Sequence, residues 1–263
     1  MMGDGEVLPG GVANAGRVTR IGGLVRRPAP PNAVVIHTLL EHLVAHGFDA
    51  SRPQSLGDDG FELLSYLPGD VPIAPFPTWV NSEDTLRSVA GLVRRYHDAA
   101  ASFVPPPGAA WNDDLADPAG GVLICHNDIC LENVVFRGGL AAALLDFDFA
   151  APGRPLWDVV QACRYWVPLT DPQLITASRG RLDPIARVAM FVDAYGLDAE
   201  DRIAFLDVLD EAETRSARFV AAQAAQGHSA FSWDDESQAR YARKRAWIDR
   251  HREKLAMAIT GHC

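Results

Sequence analysis

The sequence predicts an α+β protein with two lobes, a small antiparallel sheet in the N-lobe and a mainly helical C-lobe. Brief apolar or alternating runs, separated by glycine and turn residues, fill the first part of the chain and are typical of an antiparallel meander. Prolines 68, 72, 75 and 77 then mark a linker, and helical spacing dominates the remainder. We therefore assign residues 1–67 to the N-lobe and residues 68–263 to the C-lobe.

Short strands and one helix are predicted for the N-lobe. Strands are expected at residues 7–12, 17–22 and 24–27, and the Pro-Ala-Pro-Pro run after them ends the sheet. Apolar residues at helical spacing favour a helix over residues 33–46, followed by glycine in the C′ position. An Asp-Asp-Gly turn precedes a last strand at residues 61–67.

The C-lobe is predicted to begin with a helix over residues 82–102, which Asn81 or Ser82 can cap. Catalytic machinery is expected at about 122–158, and a helical substrate-binding region at about 159–263. The predicted strands and later helices are 122–124, 134–136, 142–145, 184–196, 200–223 and 234–258.

Composition narrows the class of partner. Of the 263 residues, 48% are hydrophobic and 22% are charged, which is ordinary for a globular protein, and the formal charge of −10 argues against nucleic acid. No apolar run is long enough to span a membrane, and the N-terminus lacks the basic and apolar regions of a signal peptide. The four cysteines form no CxxC pair, so we expect free thiols in a reducing cytoplasm.

One segment has the composition that phosphoryl transfer needs. An apolar strand leads into His126-x-Asp128-x4-Asn133, a second apolar strand follows, and Asp146 ends the next one. A carboxylate can orient a hydroxyl and accept its proton, while amide and carboxylate oxygens suit Mg²⁺. Asp128 and Asn133 also fit ordinary turn positions. Asp146 interrupts an apolar strand, where a lone carboxylate is costly, and this favours a functional role.

This pattern resembles the catalytic loop and metal-binding motif shared by protein kinases and the aminoglycoside phosphotransferase/choline kinase family. No Ala-Pro-Glu and no long activation segment follow Asp146, and Asp158-Val159 comes soon after it, as in the small-molecule branch. The resemblance implies a protein-kinase-like fold. It also implies a phosphotransferase that uses ATP or GTP with Mg²⁺ and an alcohol group as acceptor.

The resemblance also implies residue roles. Asp128 is expected to be the catalytic base, with His126 beside it supporting the loop. Asn133 and Asp146 are expected to bind Mg²⁺, and Asp158 is expected to brace the loop from below.

A glycine-rich segment containing Gly10, Gly11 and Gly16 is predicted to cover the phosphates, with an ordinary hairpin turn as the alternative. The hinge that pairs with the purine is expected at residues 65–67, which are Ser65, Tyr66 and Leu67.

The third strand departs from the family pattern, since it offers arginines where a lysine is usual. Arg27 is preferred over Arg26 as the phosphate ligand. The acid that pairs with it is either Glu41 on the following helix or another residue, since Glu41 also fits a solvated surface. Asp148 is either a second metal neighbour or a loop residue.

The acceptor is predicted to be a small molecule, with a cationic, aminoglycoside-like antibiotic as one option, because acidic residues are frequent in the C-lobe. These acids equally fit solvated helix faces and caps: Asp113, Asp114, Asp117, Asp207, Asp210, Glu211, Glu213, Asp234, Asp235 and Glu236. Two other functions stay open. One is a weak or inactive kinase-like binding or immunity protein, and the other is an unrelated metal-dependent hydrolase using Asp128, Asp146 and Asp148.

Overall fold

The structure, a computed structural model, describes residues 5–9 and 16–261. Its N-lobe contains a five-stranded antiparallel sheet in the order β1-β2-β3-β5-β4. The strands are β1 (Glu6–Val7), β2 (Thr19–Ile21), β3 (Leu24–Pro28), β4 (Pro53–Leu56) and β5 (Phe61–Ser65).

The edge strand β4 is absent from the sequence prediction. Its residues are polar and begin with proline, which is tolerated at a sheet edge because an edge residue need not donate to a neighbour. The first predicted strand, 7–12, extends into residues outside those that the structure describes, and β1 covers only Glu6–Val7.

Helix α1 (Ala33–Ala45) packs its apolar face, which includes Ile36, Leu39 and Leu43, into the core. Gly47 follows in the left-handed conformation at φ +80°, which glycine adopts without a Cβ penalty. The prediction of a helix over 33–46 is confirmed.

The C-lobe is built around α2 (Glu83–Ala100), whose buried face contacts the neighbouring helices and strands. The Ser82 side chain caps it by accepting from Thr85 N at 3.1 Å. The remaining elements are β6 (Leu123–Cys125), β7 (Val134–Arg137), β8 (Leu140–Leu144), β9 (Ala151–Gly153), α3 (Pro155–Trp166), α4 (Pro184–Tyr195), α5 (Ala199–Ala225) and α6 (Asp235–Thr260).

Two antiparallel pairs, β6–β9 and β7–β8, carry the segments that the sequence singles out. The catalytic loop joins β6 to β7, and Asp146 follows β8. Strand β9 is absent from the sequence prediction, because Ala-Pro-Gly has no strand pattern. Over residues 5–9 and 16–261, no helix has the length and hydropathy needed to cross a bilayer.

The linker after the sheet is fixed to β7. Asp70 and Phe136 exchange two backbone hydrogen bonds of 2.9 and 2.8 Å. A Cβ on Gly69 would lie 2.6 Å from Phe136 O, so the two backbones approach closely only because this residue is glycine. Arg137 donates from Nε to Pro68 O at 2.7 Å and also pairs with Asp49, which follows α1.

Candidate active site

A cavity of about 630 Å³ lies between the sheet and the catalytic loop. Residues from both lobes line it: Val25, Arg27, Leu64, Ser65, Tyr66, Leu67, Asn133, Leu145, Asp146 and Asp148. Most of the predicted site residues that the structure describes therefore meet at this cavity.

Asp158 holds the start of the catalytic loop. Its fully buried carboxylate accepts from the backbone N–H groups of His126 and Asn127, both at 2.8 Å, and lies 3.1 Å from His97 Nε2. Burial by itself raises the pKa of this carboxyl, but the bonds and charges of its neighbours lower it overall. Asp158 thus braces the loop as an anion.

His126 supports the loop from inside. Its Nε2 lies 2.9 Å from Leu145 O and its Nδ1 lies 3.3 Å from Asp128 N. A carbonyl can only accept and a backbone N–H can only donate, so Nε2 is the donor and Nδ1 the acceptor in these two bonds. The side chain is completely buried and ties the loop to the segment before Asp146.

Asp128 and Asn133 are hydrogen-bonded to each other within the catalytic loop. Asn133 Nδ2 donates to the Asp128 carbonyl at 2.9 Å and to its carboxylate Oδ2 at 3.0 Å. Within the described residues, no donor is bonded to Asn133 Oδ1. Burial raises the pKa of Asp128, and a hydrogen bond from Tyr165 opposes that rise. The sequence does not single out Tyr165 as a site residue, because aromatic residues at helical spacing usually belong to the hydrophobic core.

Asp146 adopts a backbone conformation that is uncommon for a residue other than glycine. Its φ of +62° and ψ of +70° lie in the left-handed region, and Asn127 in the catalytic loop has a φ of +66°. Such conformations cost free energy and are found at functional sites more often than elsewhere. Here they turn the Asp146 carboxylate towards the cavity and Arg27.

Arg27 joins three carboxylates with one guanidinium. Nε lies 2.6 Å from Glu62, Nη1 lies 2.8 Å from Asp146, and Nη2 lies 2.7 Å from Asp148. Burial alone lowers the pKa of Arg27, but the three acids raise it overall. A guanidinium has five N–H groups, so two remain for a phosphate. Arg26, the other candidate, pairs with exposed Asp59.

Glu62 on β5 is the buried partner of Arg27, and the Glu41 option is wrong. Glu41 is exposed on α1, whereas Glu62 lies directly across from Arg27 in the register of β3 and β5. Its second oxygen lies 2.6 Å from His37 Nε2, so α1 contributes a histidine to this cluster. In the sequence, Glu62 can be recognised as a charged residue inside the apolar run 61–64.

The oxygen donors present suit a hard divalent cation. In the part of the chain that the structure describes, Asn133 Oδ1 accepts no hydrogen bond and Arg27 binds only one oxygen of Asp146. Asp148 lies close to Asp146, and burial together with the Asp146 charge raises the pKa of Asp148 to about 7. Mg²⁺ takes oxygen ligands of this kind, from carboxylates and amides that lie close together.

The structure describes only part of the predicted nucleotide-binding site. Gly10 and Gly11 lie outside the described residues, while Gly16 is described and has a φ of +76°. In the predicted hinge, Ser65 N and Tyr66 N donate to Arg52 O and Gly23 O. Among the hydrogen bonds of the described residues, Leu67 N has no acceptor, so it is the hinge amide open to a purine edge.

Several acids considered for the acceptor are engaged elsewhere. Asp117 and Glu211 bind Arg154, and Asp207 and Asp210 bind Arg252. Asp234 caps α6 by accepting from Ser237 N at 2.8 Å. These acids therefore form ion pairs within the C-lobe or cap a helix.

Comparisons with known proteins identify the family. The sequence profile of the phosphotransferase enzyme family matches residues 108–206, which include the catalytic loop and Asp146. The trifolitoxin immunity protein of Rhizobium leguminosarum bv. trifolii is 32% identical over 262 residues, covering 92% of this chain and 94% of that protein. The chain belongs to the phosphotransferase enzyme family. The predicted enzyme class, a phosphotransferase, is confirmed by this membership.

Two solved structures share the fold. The choline/ethanolamine kinase family protein from Mesorhizobium loti is 14% identical with a TM-score of 0.64, covering 98% of this chain and 93% of that one. Amicoumacin kinase hAmiN, solved with AMP-PNP, Ca²⁺ and Ami, is 12% identical with a TM-score of 0.56, covering 89% and 81%. The α+β, protein-kinase-like fold predicted from the sequence is confirmed.

Proposed function

We propose that this phosphotransferase moves the γ-phosphate of ATP to a hydroxyl of a small molecule, with Asp128 as the base. The observation that supports it most is that Asn133, Asp146 and Arg27 line one cavity. Asn133 is also hydrogen-bonded to Asp128, on the loop that the buried Asp158 holds. The family relative solved with AMP-PNP supports ATP as the donor, and GTP is the alternative in the test below.

Each side chain has a role in this proposal. Asp128 orients the acceptor hydroxyl and takes its proton, while Asn133 fixes the Asp128 carboxylate through the 3.0 Å hydrogen bond. Asn133 Oδ1 and the Asp146 carboxylate would hold Mg²⁺, which when bound supplies neutralisation of phosphate charge. The two remaining N–H groups of Arg27 bind phosphate oxygens, and Leu67 N–H pairs with the purine.

Nucleotide binding is tested by thermal unfolding with ATP and with GTP, each with and without Mg²⁺. A ligand at 100 times its Kd stabilises the native state by about 2.7 kcal/mol, which raises the midpoint by roughly 5–10 °C for a chain of this size. We expect a magnesium-dependent rise, larger with ATP. No rise at millimolar nucleotide would refute donor binding.

Catalysis is tested separately with Asp128→Asn. The variant should keep the nucleotide-induced rise and lose about 10²–10⁴-fold in ADP release with an acceptor present. Asp98→Asn, an exposed acid on α2, is the matched control and should keep full turnover. Equal turnover in the two variants would show that Asp128 is not the base.

Immunity is a second candidate, favoured by the 32% identical trifolitoxin immunity protein and by arginine in place of lysine. Expression in a trifolitoxin-sensitive strain would test it directly. Protection by wild type but not by Asp128→Asn would indicate immunity through phosphoryl transfer. Equal protection by both would indicate immunity through binding alone, and no protection by either would remove this candidate.

A further inference from the structure

A second cavity, of about 480 Å³, lies in the C-lobe beside the catalytic loop. Tyr165 of α3 forms part of its wall, and the Tyr165 hydroxyl opposes the rise in the pKa of Asp128. The next residue, Trp166, donates from Nε1 to Ile129 O at 3.0 Å and fixes this end of α3 against the loop. The helix end that forms this wall is therefore attached to the loop that carries the proposed base.

This cavity is rich in cations, although the whole chain has a formal charge of −10. Its lining contains one carboxylate, that of Glu213. It also contains four cationic side chains, those of Arg164, Arg179, Arg240 and Lys244. The local charge is thus opposite in sign to that of the chain.

Glu213 already pairs with two of these cations. Arg164 Nε lies 2.6 Å and Lys244 Nζ lies 2.5 Å from the same oxygen, Glu213 Oε1. One carboxylate therefore serves two cations. Burial lowers the pKa of Lys244, and the charge of Glu213 offsets this only in part.

The other two lining cations have no acidic partner within residues 5–9 and 16–261. Arg179 donates from Nη2 to Tyr165 O at 2.9 Å, and its buried Nε has no hydrogen-bond acceptor. Arg240 donates from Nη2 to Leu174 O at 2.7 Å. Buried Arg187 adds positive charge near Arg179, and its Nε and Nη2 also have no acceptor.

The buried Nε of Arg179 has no acceptor, and an unpaired buried charge is costly, so this cavity favours an anionic ligand. Arginine also presents a planar fork that matches a carboxylate. We infer that the cavity binds a carboxylate of the phosphoryl acceptor, which is therefore a small hydroxy acid or hydroxyl-bearing amino acid. This inference rests on the proposed function. It differs from the cationic acceptor that the acidic composition favoured.

With this acceptor, phosphoryl transfer forms one bond at the γ-phosphorus and breaks another. The acceptor hydroxyl oxygen forms a bond to the γ-phosphorus, and the bond from that phosphorus to the β–γ bridging oxygen breaks. ADP leaves with the bond's electron pair, and the hydroxyl proton passes to the Asp128 carboxylate. The acceptor carboxylate takes no part in the bonds and only holds the molecule in place.

Three compounds of similar length separate the contributions of charge. 4-Hydroxybutyrate carries a hydroxyl and a carboxylate, L-homoserine adds an ammonium, and 3-aminopropan-1-ol has the hydroxyl and ammonium without the carboxylate. Thermal midpoints are measured with Mg²⁺ and AMP-PNP at constant ionic strength, and ADP release is measured with ATP. We expect both carboxylates to raise the midpoint and ADP release, and 3-aminopropan-1-ol to change neither.

Two variants and a control connect the effect to the cavity. Lys244→Gln leaves Glu213 paired with Arg164, and Arg240→Gln removes an exposed cation that has no ion pair, so both variants should fold. Each should weaken the response to the carboxylates by about tenfold, the effect of losing one charge-assisted hydrogen bond. Arg243→Gln, an exposed cation on α6 outside the lining, should match wild type.

Failures of the two proposals are distinguishable. A nucleotide-induced rise combined with an equal or larger response to 3-aminopropan-1-ol or kanamycin would overturn the carboxylate inference and leave phosphoryl transfer intact. A carboxylate response that both cavity variants retain would overturn it as well. Without any nucleotide response the proposed function fails, and the same three compounds without nucleotide still test the cavity.

Discussion

Replacing Arg27 by lysine, the residue usual in this family, should destabilise this protein. Arg27 donates from three different nitrogens to Glu62, Asp146 and Asp148, at 2.6, 2.8 and 2.7 Å. A lysine ammonium donates from a single atom and lacks the planar fork, so we expect it to keep one of these three partners.

The magnitude follows from the burial of each partner. The Glu62 side chain is 1% exposed, so a lysine will keep this pair, because an unpaired carboxylate there is the most costly. Losing the Asp148 pair, at 20% exposure, costs roughly 1.5–3 kcal/mol. The Asp146 side chain is 39% exposed, and solvent screening reduces its pair to at most about 1 kcal/mol. We therefore expect a loss of about 3 kcal/mol.

The measurement is urea unfolding at neutral pH followed by tryptophan fluorescence, with thermal unfolding beside it. A loss of about 3 kcal/mol corresponds to a midpoint lower by roughly 6–12 °C. Arg26→Lys is the matched control on the same strand. Its partner Asp59 is exposed, so we expect a change below about 1 kcal/mol.

Equal stability of Arg27→Lys and wild type would refute this reasoning, because it would show that one ammonium satisfies all three carboxylates. A loss that appears equally in Arg26→Lys would also refute it, because the cause would then lie in the strand and not in the carboxylate cluster.

Three further predictions concern stability. Asp158→Asn should lose about 2–4 kcal/mol, because the two backbone N–H groups bind different carboxylate oxygens and the amide replaces one of these with an NH₂ donor, while Asp98→Asn should lose less than about 0.5 kcal/mol; similar urea midpoints would contradict the bracing role. The two cationic neighbours of Glu213 outweigh burial and lower its pKa to about 2, so its stabilisation is present above its unfolded pKa near 4.5 and is lost as pH falls towards 2. The gap in unfolding free energy between wild type and Glu213→Gln should therefore shrink by about 3 kcal/mol over that pH range, and a constant gap would disprove the ion pairs. Gly121→Ala should lose about 1–3 kcal/mol, because its Cβ would lie 2.1 Å from Gly153 O, whereas Gly91→Ala inside α2 should gain about 0.5–1 kcal/mol; a stable Gly121→Ala would show that this contact relaxes.

The sequence predicts those helices and strands whose ends are marked by residues close by in the chain. The helix over 184–196 begins with Asp183 and Pro184 and ends at Gly196, and the structure has α4 at Pro184–Tyr195 with that cap. Asp128 and Asn133 also fit ordinary turn positions, and they stand out only through their spacing from His126 and Asp146.

Features that depend on pairing between distant segments are not visible in the same way. Glu62 meets Arg27 only through the register of β3 and β5, and Glu41 was considered instead because it lies on the expected helix. Strands β4 and β9 have polar or Ala-Pro-Gly sequences and form because a neighbouring strand offers an edge. The cationic cavity combines side chains from α3, α5, α6 and the segment before α4, which no spacing reveals.

The attachment of the linker has a mechanical consequence. Tyr66 N is bound to Gly23 O of the sheet, and Pro68 O is bound to Arg137 of the C-lobe. Leu67 alone lies between these two anchors, so the chain passes from the sheet to the C-lobe through a single residue that is held on both sides. Arg27 of β3 also binds Asp146 and Asp148, and Asp49 pairs with Arg137, so the two lobes are connected at further points besides the linker. A purine paired with Leu67 N–H would therefore bind to a short backbone segment whose position is already fixed before the nucleotide arrives.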